Sequence, residues 1–363
     1  MPVHLIILNF NGRELLAECL PSVLLAAASS RHLCDVCVLD NGSSDGSAEF
    51  LRAAFPEVRV VERPNLGLCS FNQVLADLTG RVAILLNNDI KLAGDCIDAL
   101  VGPLFAQKDH THASNACFMT APLCWLFDGK THEGLQAAVE WRWGLVRTTI
   151  DFQGNEPARY AGGLTAAAGP VLAVDRRVFL ELGGFDPLYL PGRLEDLDFA
   201  FRGYQAGYVA RYVPAAVAYH KGQVSFDAAY GQDASLALAL RNTLLFQWKN
   251  LRHPWHIARH LFALCPRLVF DVLRAPFTPQ PRRLAFARAL CAALAKLPLI
   301  WRNQHRPRRS WRREREFFRC FDPRRLAGDA ALACAARPSR TARRHANEHS
   351  PVVSVHHGSS VTR

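Results

Sequence analysis

The chain has 363 residues, half of them apolar, enough for one large α/β domain with an appendage or for two domains. Its net charge of +11 is unevenly spread: residues 1–251 carry 20 Lys/Arg against 26 Asp/Glu, and residues 252–325 carry 18 against 4. Met1-Pro2-Val3-His4 lacks the basic start and cleavage site of a secretory signal, and no uncharged apolar run reaches 18 residues, so no leader and no spanning helix are expected.

Eleven cysteines, an odd number, sit mostly inside apolar runs, which fits reduced, buried thiols in a cytosolic protein. Cys34-Asp35-Val36-Cys37 lies in a strand-like run rather than at a helix start, so it reads as structural.

Val3–Leu8 is a strand that ends in Asn9-Phe10-Asn11-Gly12, and Arg13–Leu25 has helical spacing, with Leu15, Leu16, Cys19, Leu20, Val23 and Leu24 on one broad face. Asp35–Asp40 is a second strand, running into Asn41-Gly42-Ser43-Ser44-Asp45-Gly46-Ser47. A helix over 48–55 follows, with Asp45 or Ser47 as its cap. Val58–Val61 is a third strand, Asn65-Leu66-Gly67 a turn, and Ser70–Leu78 a helix. Alternation of this kind predicts a mostly parallel, doubly wound sheet flanked by helices. Ala83-Ile84-Leu85-Leu86 then runs into Asn87-Asn88-Asp89, a buried strand with an abrupt polar lip. Two readings fit that lip: a turn after a strand, or a site for a hard divalent cation on a phosphorylated ligand. Neither GxGxxG nor GxxxxGK[ST] is present, which disfavours a Rossmann dinucleotide enzyme and a P-loop NTPase.

Ile6–Gly12, Leu39–Ser47 and Leu85–Asp89 resemble the corresponding blocks of family 2 glycosyltransferases with a GT-A fold, and bacterial rhamnosyltransferase-type members in particular. Gly183-Gly184-Phe185-Asp186, Leu194-Glu195-Asp196-Leu197-Asp198-Phe199, Ala206-Gly207-Tyr208 and Pro214–His220 continue the resemblance, which covers roughly residues 3–225. It implies inverting, metal-dependent transfer of a sugar from a nucleoside diphosphate sugar (a dTDP- or UDP-sugar, rhamnose among the candidates) to a hydroxyl. The acceptor would be a glycan or lipid-linked molecule in cell-surface polysaccharide synthesis. By the same resemblance Asp40 contacts the nucleobase, with Asn9 and Asn11 in the same pocket. Asn72, Asn87, Asn88 and Glu195 join the substrate site, Asp89 and His220 hold Mg²⁺ or Mn²⁺, and Asp196 is the catalytic base.

Elementary chemistry agrees with these roles. Such ions need only one or two protein carboxylates, and a carboxylate at a helix N-terminus is held ionised, as a base requires. Other readings stay open. His220 is as readily a satisfied structural histidine, Asp45 a turn residue, and Asp198 a residue facing elsewhere on the helix. Trp125, Trp141 and Trp143 suit core packing better than sugar stacking.

The chain also departs from the family. Asn87 stands where the metal motif usually begins with Asp, and Leu68-Cys69-Ser70-Phe71 replaces small residues. These departures motivate the alternative of a non-catalytic nucleotide-sugar or glycan-binding protein. A sugar-1-phosphate nucleotidyltransferase is disfavoured, because its glycine-rich signature near the first strand is absent.

Beyond the expected glycosyltransferase domain at 1–225, residues 226–325 read as a helical, basic appendage and 326–363 as a disordered tail. Between Trp255 and Phe277, His256, Arg259, His260, Arg267, Asp271 and Arg274 recur on one side and Leu261, Phe262, Leu264, Leu268, Val269, Val272 and Leu273 fill the other. That is an amphipathic helix, with a bend expected at Pro266. Arginines with interleaved aromatics favour an anionic membrane surface, with the protein peripheral to the inner face of the cell membrane. Packing on the body or a homodimer is the alternative, and nucleic acid is not the expected partner.

Overall fold

The computed structural model describes residues 2–106, 115–134, 136–150, 158–222, 232–278, 282–302 and 310–328. The expected domain boundary at 225/226 falls outside these ranges, as do residues 329–363 of the expected tail; its first three residues, Leu326–Gly328, depart from that expectation and end a helical segment over 323–328.

Four runs of alternating or continuous apolar residues form the parallel half of the sheet: β1 (Val3–Asn9), β2 (Cys34–Asp40), β3 (Arg59–Glu62) and β4 (Val82–Asn87), in spatial order β3-β2-β1-β4. Successive side chains point to opposite faces. Val3, Leu5 and Ile7 enter one core with α1 (Arg13–Ser29) and α4 (Cys96–Phe105), while Ile6 enters another with α3 (Ser70–Asp77). Both faces are covered, which is why these strands read as nearly continuous hydrophobic runs. Helix α2 (Ser47–Ala54) links β2 and β3.

The register aligns Asn9 with Asp40, Leu8 with Asn87 and Asp40 with Glu62, so the polar tips of all four strands meet at one edge. Beyond β4 come β5 (Ile90–Leu92), β6 (Ala116–Leu126), β7 (His132–Gly134) and the hairpin of β8 (Ala138–Arg142) and β9 (Leu145–Thr149). The short α5 (Ala158–Ala161) and β10 (Gly163–Leu164) precede β11 (Val171–Asp175), which runs antiparallel between β4 and β6. After α6 (Arg176–Glu181) and α7 (Glu195–Ala206), β12 (Tyr208–His220) pairs parallel with β6, and its end pairs antiparallel with β5. This mixed, largely parallel sheet between helices is the α/β architecture expected from the alternation of strands and helices in the sequence.

The C-terminal helices are α8 (Gln232–Asn250), α9 (Pro254–Arg274), α10 (Ala285–Leu294), α11 (Leu297–Arg302) and α12 (Trp311–Cys320). With α7 and the β8–β9 hairpin they enclose a third core around Phe201, Phe246, Phe286, Phe317 and Phe321. Helix α9 runs unbroken through Pro266. Trp141 packs between His256 and Phe318 as a core residue should, but Trp143 departs from the core-packing expectation: it sits at the hairpin turn with φ 52° and is exposed beside Phe270.

Candidate active site

Asn9 is the hub of the strand-tip cluster. Its Nδ2 donates to Asp40 Oδ1 at 2.8 Å, and its Oδ1 accepts from Asn88 Nδ2 at 2.8 Å, so one buried amide joins the tips of β1, β2 and β4. Asp40 also accepts from the Ser43 backbone N–H (2.9 Å) and hydroxyl (2.6 Å). Asn11, left-handed at φ 49°, accepts the Ser44 N–H at 2.7 Å and so ties the first loop to the second. Asp45 accepts the N–H of Arg13 at 2.9 Å and the N–H of Ser47, the turn role that was one reading of it. Gly12 has no room for a side chain, since a Cβ there would stand 1.9 Å from Asn88 Nδ2. Asn41, next to Asp40, has a buried Oδ1 with no partner.

Asp89 is brought to His220 by the β5–β12 pairing, in which Ile90 stands opposite His220. Asp89 Oδ2 lies 3.2 Å from His220 Nε2, and Glu133 Oε2 lies 2.5 Å from Nδ1. Burial opposes charge on this imidazole, but the hydrogen bonds and charges of Asp89 and Glu133 outweigh it and lift His220 to about 9. The other oxygen of Asp89, Oδ1, is buried and unpartnered. Glu133 was invisible in the sequence: it occupies a three-residue strand in a segment without periodicity, on a local β6–β7 hairpin that the long-range β6–β12 pairing brings to His220.

Asp196 opens α7. Its Oδ1 accepts the N–H of Leu197 at 2.8 Å, and its Oδ2 accepts those of Ala168 (3.3 Å) and Gly169 (3.1 Å). Backbone dipoles from two elements thus converge on this half-buried carboxylate. Neighbouring Glu195 is almost fully buried with Oε1 unpartnered, and burial, reinforced by the charge of Asp196, pushes its carboxyl up to about 8. Arg193 and Leu194, just ahead of it, are both left-handed (φ 82° and 72°), a costly backbone for residues with side chains. Asn242 of α8 braces that loop, donating to the carbonyls of Tyr189 (2.8 Å), Gly192 (2.7 Å) and Arg193 (2.9 Å).

Asn72, an expected site residue, sits apart from this cluster, as does Asp198, which was expected to face elsewhere on its helix. Both amide atoms of Asn72 pair with the Phe185 backbone, at 2.8 and 2.9 Å, so in this fold it braces α3 against the glycine turn. Asp198 turns inward into a buried charge cluster, accepting from Lys249 Nζ (2.7 Å), Arg202 Nε (2.8 Å), Asn250 Nδ2 (2.8 Å) and the Tyr189 hydroxyl (2.8 Å). Lys249 also pairs with Asp186 at 2.7 Å. Asn87 ends β4 beside the others, its backbone N–H donating to the carbonyl of Pro170 at 3.3 Å.

Residues 4–126 match the family model described as glycosyl transferase family 2. Over 256 residues, 63% of this chain and 78% of the relative, the sequence is 28% identical to the N-acetylglucosaminyl-diphospho-decaprenol L-rhamnosyltransferase of Mycobacterium tuberculosis. Among solved structures, S. aureus TarS 1–349 in complex with UDP-GlcNAc aligns at TM-score 0.48 and 12% identity, over 94% of this chain and 93% of that one. GalNAc-T7 with UDP, GalNAc and Mn²⁺ aligns at TM-score 0.46 and 19% identity over 66% of this chain, which spans 50% of that structure's chain.

Proposed function

We propose that the chain is a family 2 glycosyltransferase that transfers a sugar, rhamnose foremost, from a dTDP- or UDP-sugar to a hydroxyl of a lipid-linked glycan, with inversion at the anomeric carbon; the family-model match over residues 4–126 and the mycobacterial relative support this reading. The observation that carries this reading is the convergence on one sheet edge of Asp40, Asp89 and, through the Ala168–Pro170 loop, Asp196. The acceptor class follows the mycobacterial relative, whose name specifies a polyprenyl-diphosphate-linked N-acetylglucosamine. Work on such a substrate fits a peripheral protein at the inner face of the cell membrane; no described helix is long and apolar enough to cross one.

A divalent cation suits the residues present. The buried, unpartnered Oδ1 of Asp89 is an oxygen that a Mg²⁺ or Mn²⁺ ion would satisfy, with His220 beside it. Among the described residues no group of three or more His, Cys, Asp or Glu forms a ready cage. That fits an ion that keeps its waters and takes its remaining ligands from a diphosphate. When bound, such an ion neutralises the charge developing on the leaving diphosphate.

The chain's own groups do the rest. Asp196 accepts the proton of the acceptor hydroxyl as its oxygen bonds to the anomeric carbon. The bond from that carbon to the diphosphate breaks, and its electron pair leaves with the diphosphate. Asn9, Asn11 and Asp40 line the nucleoside end and Asn87 and Asn88 the diphosphate end, with Glu195 beside the base. A panel of sugar nucleotides, assayed for nucleoside diphosphate release with and without Mn²⁺ or Mg²⁺, tests the reading; no turnover with any donor overturns it.

A further inference from the structure

Helix α9 is folded with its polar side inward. His256 Nδ1 meets Glu314 Oε1 at 2.7 Å, and Glu314 also accepts the N–H groups of Arg252 and His253 at the helix start. His260 accepts from Trp248 Nε1 at 3.0 Å and lies 3.0 Å from the Gly144 carbonyl. Arg267 stacks on Phe286, and Asp271 accepts the N–H of Ala287 at 3.0 Å. With these groups turned to the body, and Leu264 and Leu268 packed on the third core, the rest of the apolar side faces out: Trp255 is 68% exposed, Phe262 83%, Leu273 67% and Phe277 88%. The exposed Val269, Phe270 and Val272 fill the stripe between them, and Trp143 extends it onto the hairpin. An apolar face this long is not left to water in a monomer without a partner for it.

We propose that this face of α9, with the adjoining α10 and α11, is the surface by which the enzyme docks on an anionic lipid bilayer. The inference rests on the proposed lipid-linked acceptor for its purpose, but not for its evidence. Charge selects the occupant. Exposed Arg259, Arg274 and Arg283 border the stripe, and Asp271, turned inward, is the single acidic residue between 252 and 302. A second copy related by a two-fold axis would set these arginines against themselves with no carboxylate to meet them. A bilayer takes the apolar groups into its acyl boundary and meets the arginines with lipid phosphates, and tryptophan and phenylalanine are suited to that depth.

The test is flotation of the full chain with vesicles of phosphatidylcholine and phosphatidylglycerol in equal parts, against phosphatidylcholine alone. Donor turnover is measured in parallel without vesicles, so that loss of docking and loss of enzyme function are read separately. The wild type floats with the anionic vesicles and is released by salt. Phe262→Glu with Leu273→Glu abolishes flotation while turnover persists. Arg274→Glu with Arg283→Glu weakens it by roughly fivefold per arginine. Should the glutamate pair misfold by circular dichroism, Phe262→Ser with Phe277→Ser serves instead. No flotation of the wild type, or flotation unchanged in the apolar variants, overturns the proposal. So does a sedimentation dimer, or binding to RNA or DNA, that the same apolar variants dissolve.

Discussion

Asp196 and Asn87 hold the two ends of one short loop: Asp196 Oδ2 accepts from Gly169, and the carbonyl of the following Pro170 accepts from Asn87. The carboxylate of the proposed base and the strand tip that carries Asp89 are therefore tied to each other through one backbone loop. Asp196→Asn keeps the shape of that link and removes the base. Turnover is expected to fall by roughly 10²- to 10⁴-fold with nucleotide affinity nearly unchanged by calorimetry; loss of affinity instead would remove Asp196 from the chemistry.

Asp89→Ala is expected to abolish the gain in nucleotide affinity that Mn²⁺ confers. Glu133 orients His220 through Nδ1 at 2.5 Å, so Glu133→Gln is expected to weaken Mn²⁺ binding by roughly 10- to 100-fold. Titration of the protein with Mn²⁺, followed by electron paramagnetic resonance, reads both. Equal affinity in wild type and Asp89→Ala contradicts the metal role.

At Gly12 even one methyl group would meet Asn88 Nδ2 at 1.9 Å and Asn9 Oδ1 at 2.7 Å. Gly12→Ala is therefore expected to part the Asn9–Asn88 bond, lowering stability by about 1–3 kcal/mol and weakening donor binding. Thermal unfolding with and without UDP or dTDP measures both. Wild-type behaviour in both would show that the loop yields freely.

Glu195 gives stability a pH dependence of definite sign. Its carboxyl is raised from 4.5 to about 8 in the folded state, so between those values the native protein binds more protons than the unfolded chain. The stabilisation is complete below about pH 4.5 and is lost as pH rises towards about 8. Glu195→Gln should flatten that slope and unfold at higher urea than wild type at pH 8; an unchanged slope rules Glu195 out as its source.

Lys249→Met leaves Asp186 and Asp198 without their shared ammonium group. Breaking a buried pair from one side costs about 3–5 kcal/mol, so a large fall in the urea midpoint is expected. A change below about 1 kcal/mol would mean that Arg202 and the surrounding hydrogen bonds satisfy Asp198 by themselves.

What could be read in advance was local. The strands β1, β2 and β4 announced themselves as apolar runs ending in Asn9, Asp40 and Asn87, and α1 overran its expected end at Leu25 only because Ala26-Ala27-Ala28 carries the helix on to Ser29. The partners that complete the candidate site were not legible, because they arrive through non-local contacts. Glu133 comes by way of the β6–β12 pairing, Ala168 and Gly169 by a loop on Asp196, and Asn242 by a helix that arrives after β12. The two sides of α9 were legible only in part, since Arg259 and Arg274 lie exposed and Leu264 and Leu268 pack inward, and which side turns inward depends on Glu314, Trp248 and Phe286 waiting for its polar groups.

The Lys249–Asp198 pair has a further mechanical consequence. Asp198 lies one short step along α7 from Asp196, Lys249 ends α8, and α8 grips α9 through Trp248 and His260. A chain of contacts therefore runs from the outward face of α9 to the proposed base. With that face resting on a bilayer, the height of Asp196 above the lipid phosphates is a constant of the fold. On the proposed docking and acceptor, that elevation would favour acceptors whose hydroxyl stands level with Asp196 over glycans already grown beyond it.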